Sequence, residues 1–185
     1  MGTGVSSEFE RLASETLFDG KFIAVRRDTF RHEDGEVVTR ELVSHPGAVA
    51  IVVLDDAERL WFVRQPREAI GAPDLLEIPA GKLDEEGEDP LATAKRELAE
   101  EIGKQAARWE SLGSFFTSPG FADEEIHLFL ATGISDVPER PEVEEDERID
   151  VEVRPLADLD AILATNQDSK TLVALYRFRD RLRSA

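Results

Sequence analysis

Three glutamates lie within five residues of the chain, in the stretch RELAEEIG from Arg96 to Gly103. Glu97 and Glu101 are four residues apart, so on a helix their carboxylates face each other one turn away. Like charges at this spacing destabilise a helix by about 0.2–0.5 kcal/mol, and a bound cation would offset that repulsion. Mg²⁺ is a hard ion that takes carboxylate oxygens, waters and substrate phosphates. The pattern indicates a divalent-cation site, and the alternative is a solvated helix face.

The element that must position these glutamates is a helix predicted over residues 90–102. Asp89 stands at the N-cap position, Pro90 suits the first helical residue, and Gly103 suits the position just past the end. The helix has an apolar stripe made of Leu91, Ala94, Leu98 and Ile102. At about 100° per residue, Glu101 lies beside this stripe, Glu97 further round and Glu100 nearly opposite.

The rest of the chain mixes strands with helices. Two strand candidates, residues 21–30 and 36–45, flank Asp34-Gly35, which is a hairpin signal. Other strands are predicted at 48–56, 59–67, 75–81, 111–118, 125–134 and 149–156, and other helices at about 156–164 and 169–183. There is no regular βαβ alternation, so the pattern favours an α+β fold or a mixed sheet covered by helices.

Composition excludes several classes of function. The net charge of −18 argues against nucleic acid or an anionic membrane surface as the main partner. The chain has no cysteine, and therefore no disulfide, thiol nucleophile or cysteine-ligated zinc. Its start has neither a basic nor an apolar run, and its longest apolar run, residues 48–54, is too short to cross a membrane. We therefore expect a cytoplasmic protein.

The segment GKLDEEGEDPLATAKRELAEEIGK, residues 81–104, resembles the Nudix box of the Nudix hydrolases. That box is a glycine, five residues, a glutamate, seven residues, and then Arg-Glu-apolar-x-Glu-Glu-x-Gly-apolar. The matching positions here are Gly81, Glu88, Arg96, Glu97, Leu98, Glu100, Glu101 and Gly103. Two positions depart from the pattern: six residues separate Gly81 from Glu88, and Lys104 stands at the final apolar position. The extra residue falls in a loop, where added length is well tolerated.

The flanking segments EIPAGKLD and TSPGFADE resemble the ADP-ribose pyrophosphatase branch, which has a proline at the position of Pro119. The resemblance implies an α+β protein of the Nudix type, an α/β/α sandwich with a mixed sheet, preceded by an antiparallel strand region. We expect the strand region over residues 1–46 and the Nudix domain over residues 47–185. The strand region is expected to form the interface of a homodimer.

The same resemblance implies a site for Mg²⁺, with Mn²⁺ as an alternative. Glu97 and Glu101 are the expected metal ligands, Glu100 is a further ligand or support, and the backbone carbonyl of Ala80 adds an oxygen. Arg96 is expected to be structural and to pair with Glu88, with Gly81 at the start of the loop.

The resemblance also implies a small-molecule nucleoside diphosphate substrate and a general base from the loop at 142–150. The candidates for the base are Glu145 and Glu147, with Glu144 and then Glu100 behind them. Arg67 is a candidate for contacting the substrate phosphates, or else a surface arginine at a strand end. Candidates near the adenine and terminal ribose are Arg40 and Glu41, whose alternative is a solvent-facing pair, and Phe22, whose alternative is a place in the core.

Three hypotheses of function follow. The first is Mg²⁺-dependent hydrolysis of ADP-ribose or related ADP-sugars to AMP and a sugar phosphate. The second is hydrolysis of other nucleoside diphosphate sugars or of dinucleotides. The third is a non-catalytic Nudix module that senses a nucleotide, which the retained Arg-Glu-x-x-Glu-Glu run disfavours because a pure binder has no need of metal ligands.

Overall fold

The computed structural model describes residues 8–83, 87, 89–139, 141 and 148–184. The chain divides into two compact units. The first comprises Met1–Pro46 and Phe116–Glu124, and the second comprises Gly47–Phe115 and Glu125–Ala185.

The first unit contains an antiparallel sheet of three strands, β1 (Phe9–Asp19), β2 (Ala24–His32) and β3 (Val37–Ser44). Strands β2 and β3 form the hairpin that Asp34-Gly35 predicts, and Gly35 has the positive φ of 89° that such a turn favours. The predicted N-terminal antiparallel strand region is thus confirmed. Strand β1 was not among the predicted strands.

A short loop of the first unit is fastened to the end of β3. Val43 donates its N–H to the carbonyl of Phe121 at 2.7 Å, and Asp123 donates its N–H to the carbonyl of Val43 at 3.1 Å. The carboxylate of Asp123 also accepts the N–H of His45 at 2.8 Å. These bonds fix the backbone of the loop that contains Pro119.

The second unit is built on a mixed sheet of seven strands. The strands are β4 (Ala48–Leu54), β5 (Arg59–Arg67), β6 (Ala72–Glu77), β7 (Ala80–Lys82), β8 (Lys104–Phe116), β9 (Glu125–Asp136) and β10 (Asp150–Pro155). Their order is β10-β5-β4-β9-β8, with β6 paired to β5 and β7 paired to β4. Strand β4 is parallel to β9 and antiparallel to β5 and β7.

Helices cover both faces of this sheet. They are α1 (Pro90–Ile102), α2 (Leu159–Thr165) and α3 (Ser169–Arg183), with short 3-10 turns at Glu68–Ile70 and Leu156–Asp158. Strand β4 is buried on both sides: Ala50 and Val52 pack in a core with α2 and α3, whereas Ile51 and Val53 pack with α1. The predicted α+β fold with an α/β/α sandwich is confirmed. None of the helices in the described ranges is long and apolar enough to span a membrane.

Candidate active site

Helix α1 holds the glutamates of RELAEEIG against the sheet. It begins at Pro90 and ends at Ile102, as predicted, and Gly103 closes it in a left-handed conformation with a φ of 66°. Asp89 occupies the N-cap position, but its side chain makes no capping hydrogen bond. Its carbonyl accepts the N–H groups of Ala92 and Thr93 at 2.7 and 3.1 Å instead.

Glu101 is the most deeply placed of the three glutamates. Its side chain is buried, and its residue exposure is only 3%. The N–H of Ala80 donates a hydrogen bond to its Oε2 at 3.0 Å. Because Ala80 begins strand β7, this bond joins the start of the loop to the end of helix α1, and it fixes one oxygen of the carboxylate beside the backbone.

Glu97 lies against the backbone of Gly81. A methyl carbon placed on Gly81 would fall 1.9 Å from Cδ of Glu97 and 2.1 Å from its Oε1. No such contact exists between real atoms, so only glycine leaves room for the carboxylate here. The glycine of the motif is therefore explained by a close approach of backbone and side chain.

Arg96 joins two of the carboxylates. Its Nη1 donates to Oε1 of Glu97 at 2.8 Å and to Oε2 of Glu100 at 3.0 Å. Both pairs are largely shielded from solvent, since the side chains of Arg96, Glu97 and Glu100 are 28%, 12% and 26% exposed. One positive charge thus lies between Glu97 and Glu100 and offsets part of the negative charge on this helix.

Arg67 is the last residue of β5, and it forms a two-point ion pair with Glu77. Its Nε and Nη2 donate to the two carboxylate oxygens at 2.6 and 2.7 Å. Burial acts to raise the pKa of Glu77, but hydrogen bonds and charge from Arg67 and Lys170 outweigh it and hold that pKa below the ordinary value. The hydrogen bond to Glu77 raises the pKa of Arg67, and the charges of Asp168 and Glu101 add to the effect.

The NUDIX domain model matches residues 44–176, well over half of the chain. This chain belongs to the Nudix hydrolase family. A second model, the nucleoside diphosphate sugar hydrolase N-terminal domain, matches residues 9–43.

Curated relatives support the same family. The ADP-ribose pyrophosphatase of Mycobacterium tuberculosis is 49% identical over 140 residues, which are 76% of this chain and 67% of the relative. The ADP-ribose pyrophosphatase of Bacillus subtilis is 40% identical over 172 residues, 92% of each chain. The methanol dehydrogenase activator of Bacillus methanolicus is 39% identical over 170 residues, 91% of each chain.

A solved structure described as an ADP compounds hydrolase has the same fold. Its TM-score is 0.83 at 22% identity, over 96% of this chain and 95% of the other. The resemblance to the Nudix family and its ADP-ribose pyrophosphatase branch is confirmed by these likenesses, and the chain is a Nudix hydrolase.

Nudix hydrolases generally need divalent metal ions, and the donor chemistry of helix α1 fits such an ion. Three carboxylates lie within little more than one turn, and Gly81 leaves space for that of Glu97. Within the part of the chain that is described, no three His, Cys, Asp or Glu side chains are arranged as ligands of one ion. Arg96 and the N–H of Ala80 hold the carboxylates instead, so the metal ligands stay a prediction.

Several predicted residues of the Nudix site lie outside the described residues. They are Glu88 of the motif loop and the candidate bases Glu144, Glu145 and Glu147. The predicted pairing of Glu88 with Arg96 and the choice of general base thus remain predictions. The strand expected after the base loop is present as β10, and Gly87 has a positive φ of 80°, which suits a loop with one extra residue.

The candidates for nucleoside binding all lie in the first unit. Arg40 and Glu41 are exposed on β3, where Glu41 pairs with Arg27 at 3.2 Å and Arg40 donates to the carbonyl of Thr39 at 3.1 Å. Phe22 is 55% exposed, and its ring meets the edge of His45 at a centroid distance of 6.2 Å. The alternative that Phe22 packs in the core is therefore wrong. Substrate contacts of all three stay predictions.

Two charged residues near Arg67 were not predicted from the sequence. Glu77 and Lys170 form an ion pair although they are 93 positions apart in the chain. A glutamate inside the otherwise apolar LLEIPAG was the one local signal, because an unpaired charge is not tolerated at a buried position. Its partner on α3 has no local signal.

Proposed function

We propose that this Nudix hydrolase cleaves the pyrophosphate bond of ADP-ribose or related ADP-sugars in the presence of Mg²⁺, releasing AMP and a sugar phosphate. The proposal depends on the cluster of glutamate carboxylates on helix α1. In this cluster Glu101 accepts a hydrogen bond from the N–H of Ala80, and Glu97 lies against the backbone of Gly81. Two relatives at 40% and 49% identity bear the name ADP-ribose pyrophosphatase, which supports the choice of substrate.

We assign the metal ligands to Glu97, Glu101 and Glu100, with the carbonyl of Ala80. When bound there, divalent ions supply positive charge to the phosphate oxygens and make water a better nucleophile. Arg96 keeps two of these carboxylates together and balances their charge. Its role is to hold the ligand side chains in place on one face of the helix.

Arg67 is assigned to the substrate phosphates. A guanidinium has donors in a planar fork that matches phosphate oxygens, and Arg67 keeps 45% of its side chain exposed while Glu77 holds its other edge. A carboxylate of the 142–150 loop, Glu145 or Glu147, takes the proton from the attacking water. The water oxygen bonds to one phosphorus, and the bridging P–O bond breaks so that its oxygen leaves with the other product.

The proposal includes a homodimer formed through the N-terminal strands and a cytoplasmic location. All residues of β1 are exposed, and among them Phe9 is 64% and Phe18 is 55% exposed. Apolar side chains on an edge strand are a surface that another chain commonly covers. A second copy is the occupant that the resemblance to the dimeric branch favours.

The match of residues 9–43 to a nucleoside diphosphate sugar hydrolase domain favours a second candidate, a hydrolase of other nucleoside diphosphate sugars. A substrate panel decides between the two. We would measure kcat/KM with Mg²⁺ for ADP-ribose, GDP-mannose, UDP-glucose and a dinucleotide. The proposal predicts the highest value for ADP-ribose. A higher value for another sugar nucleotide would favour the second candidate, and no turnover of any would favour a sensing module.

A further inference from the structure

A second group of charges lies in the same unit as helix α1 and centres on Glu77. This carboxylate ends strand β6 and is fully buried, with 0% exposure, next to the buried Ile78. Burying an ion costs several kcal/mol of lost hydration, and charged or hydrogen-bonding partners must offset that cost. Glu77 therefore needs partners that stay in place.

Its partners surround both oxygens. Arg67 binds Oε1 and Oε2 at 2.6 and 2.7 Å, Lys170 donates to Oε2, and Gln65 lies 3.4 Å from Oε2. A two-point pair fixes the plane of a guanidinium as well as its position. The contact thus sets the direction of the Arg67 side chain.

Lys170 is itself held at the start of α3. It pairs with Oδ1 of Asp168 at 3.1 Å, and the other oxygen of Asp168 accepts the N–H and the hydroxyl of Thr171 at 3.0 and 2.6 Å. The hydroxyl oxygen of Thr171 accepts the N–H of Ile78 at 2.9 Å. Helix α3 is thus bonded both to the carboxylate of Glu77 and to the backbone of the next residue, Ile78, which leaves Glu77 little freedom to move.

Arg67 has one edge bound and the other available. Glu77 takes Nε and one Nη2 hydrogen, which are two of the five N–H donors of a guanidinium. Among the described residues, Nη1 of Arg67 donates no hydrogen bond, and the side chain is 45% exposed. Glu77 therefore anchors one edge of the guanidinium in the protein interior, while the Arg67 side chain as a whole stays about half exposed.

We propose that Glu77, held by Lys170, is a positioning residue that aims the guanidinium of Arg67 at a phosphate of the substrate, an inference that rests on the proposed role of Arg67. A surface pair made only for stability does not need a fully buried carboxylate with two cationic partners. The arrangement instead suits a positioning role, because the buried Glu77 is held in place while the guanidinium of Arg67 is about half exposed.

A double-mutant cycle tests this inference. Glu77→Gln replaces one carboxylate oxygen with an amide donor that cannot accept from Arg67. We expect kcat/KM for ADP-ribose to fall by about 10–100-fold, because small misplacements of a substrate-positioning group are that costly. In an Arg67→Ala background the same change should alter kcat/KM by less than about 2-fold, since there is no guanidinium left to aim.

Two further variants keep the test decisive. Lys170→Gln removes a partner of Glu77, so it should lower kcat/KM by about 3–10-fold in the wild-type background and have no effect with Arg67→Ala. If Glu77→Gln does not fold, the effect of Lys170→Gln with and without Arg67→Ala tests the positioning role in its place. Glu152→Gln is the matched control, because it breaks a carboxylate pair with Arg64 on the same strand β5. It should leave kcat/KM within about 2-fold of wild type.

The outcomes separate this inference from the proposed function. Equal losses with and without Arg67 would mean that Glu77 acts through the fold alone, and would overturn the inference. The same cycle is run on ADP-ribose affinity by calorimetry with EDTA present. If the wild type binds ADP-ribose but does not hydrolyse it, the proposed function fails and the affinities decide the inference. A wild type that neither binds nor hydrolyses ADP-ribose would overturn both.

Discussion

Replacing Gly81 by alanine should affect catalytic activity far more than the stability of the fold. The new methyl carbon would lie 1.9 Å from Cδ of Glu97, whereas carbon atoms in contact need about 3.5–4.0 Å. The Glu97 carboxylate must then move by about 1.6 Å or more, and it loses its 2.8 Å bond to Arg96. The atoms that must move belong to the end of a flexible side chain, so the backbone is expected to keep its course.

We expect a large loss of activity with a small loss of stability. A displacement of about 1 Å at a positioned group costs about 10²-fold in rate, so kcat/KM for ADP-ribose should fall by at least that factor. The lost contact is one hydrogen bond between charged groups and contributes about 1.5 kcal/mol, because Arg96 keeps its bond to Glu100. At about 2–4 °C per kcal/mol, this corresponds to a fall in Tm of about 3–6 °C. Steady-state kinetics with Mg²⁺ and a thermal melt measure the two effects separately.

Gly35→Ala supplies the matched control. Gly35 has a φ of 89° and no neighbour within 4 Å of an added methyl, so alanine there is strained but touches nothing. The Gly35→Ala variant should lose about 1–2 kcal/mol of unfolding free energy, comparable to the loss in Gly81→Ala, and keep the wild-type kcat/KM. If Gly81→Ala retained wild-type kcat/KM, or lost no more activity than Gly35→Ala, the seating of Glu97 against the backbone would have no catalytic role.

Four other outcomes are expected. Glu97→Gln and Glu101→Gln should each weaken Mn²⁺ binding in a calorimetric titration by about 10-fold or more, and unchanged affinity in both would remove the metal assignment. Glu145→Gln, Glu147→Gln or their double variant should lower kcat by about 10²–10⁴-fold with little change in KM, whereas wild-type kcat in all three would place the base elsewhere. Sedimentation should find a dimer at micromolar concentration, and a fully active monomer would refute it. The pKa of Glu77 is lowered in the folded protein, so its ion pairs stabilise the fold above the ordinary carboxyl value of 4.5. The difference in unfolding free energy between the wild type and Glu77→Gln should therefore shrink as the pH falls below that value. A difference that does not change with pH would argue against an ionised Glu77.

Helix α1 was predictable because its signals are local. Pro90 and Gly103 mark its two ends, and the apolar residues between them recur at the helical period, so the observed bounds agree with the predicted ones. The register of the glutamates on this helix follows from the same period. The family motif could therefore be placed on its element from the sequence alone.

Strand β1 was not predictable in the same way. Its pairing with β2 has irregularities between Arg11 and Ala13 and between Thr16 and Phe18. A bulge adds a residue and breaks the alternation of side chains on which a strand prediction depends. Every residue of β1 is also exposed, so no buried face leaves a pattern in the sequence.

The contacts that hold the candidate site come mostly from distant parts of the chain. Glu77 meets Lys170 across 93 positions, and the N–H of Ala80 meets Glu101 across 21. Neither contact leaves a local pattern, because the sheet and helices bring the partners together only in the folded chain. The sequence could identify the ligand-type residues on α1 but not the ion pair that holds Arg67.

The measurement that tests the central proposal most directly is product analysis by ³¹P NMR of ADP-ribose incubated with the purified protein and Mg²⁺. We expect the two pyrophosphate resonances to be replaced by those of AMP and ribose 5-phosphate. We also expect this conversion to be lost when Glu97 and Glu101 are both changed to glutamine. Pyrophosphate resonances that persist with the wild-type protein, or products that form equally fast with the double variant, would contradict the proposal.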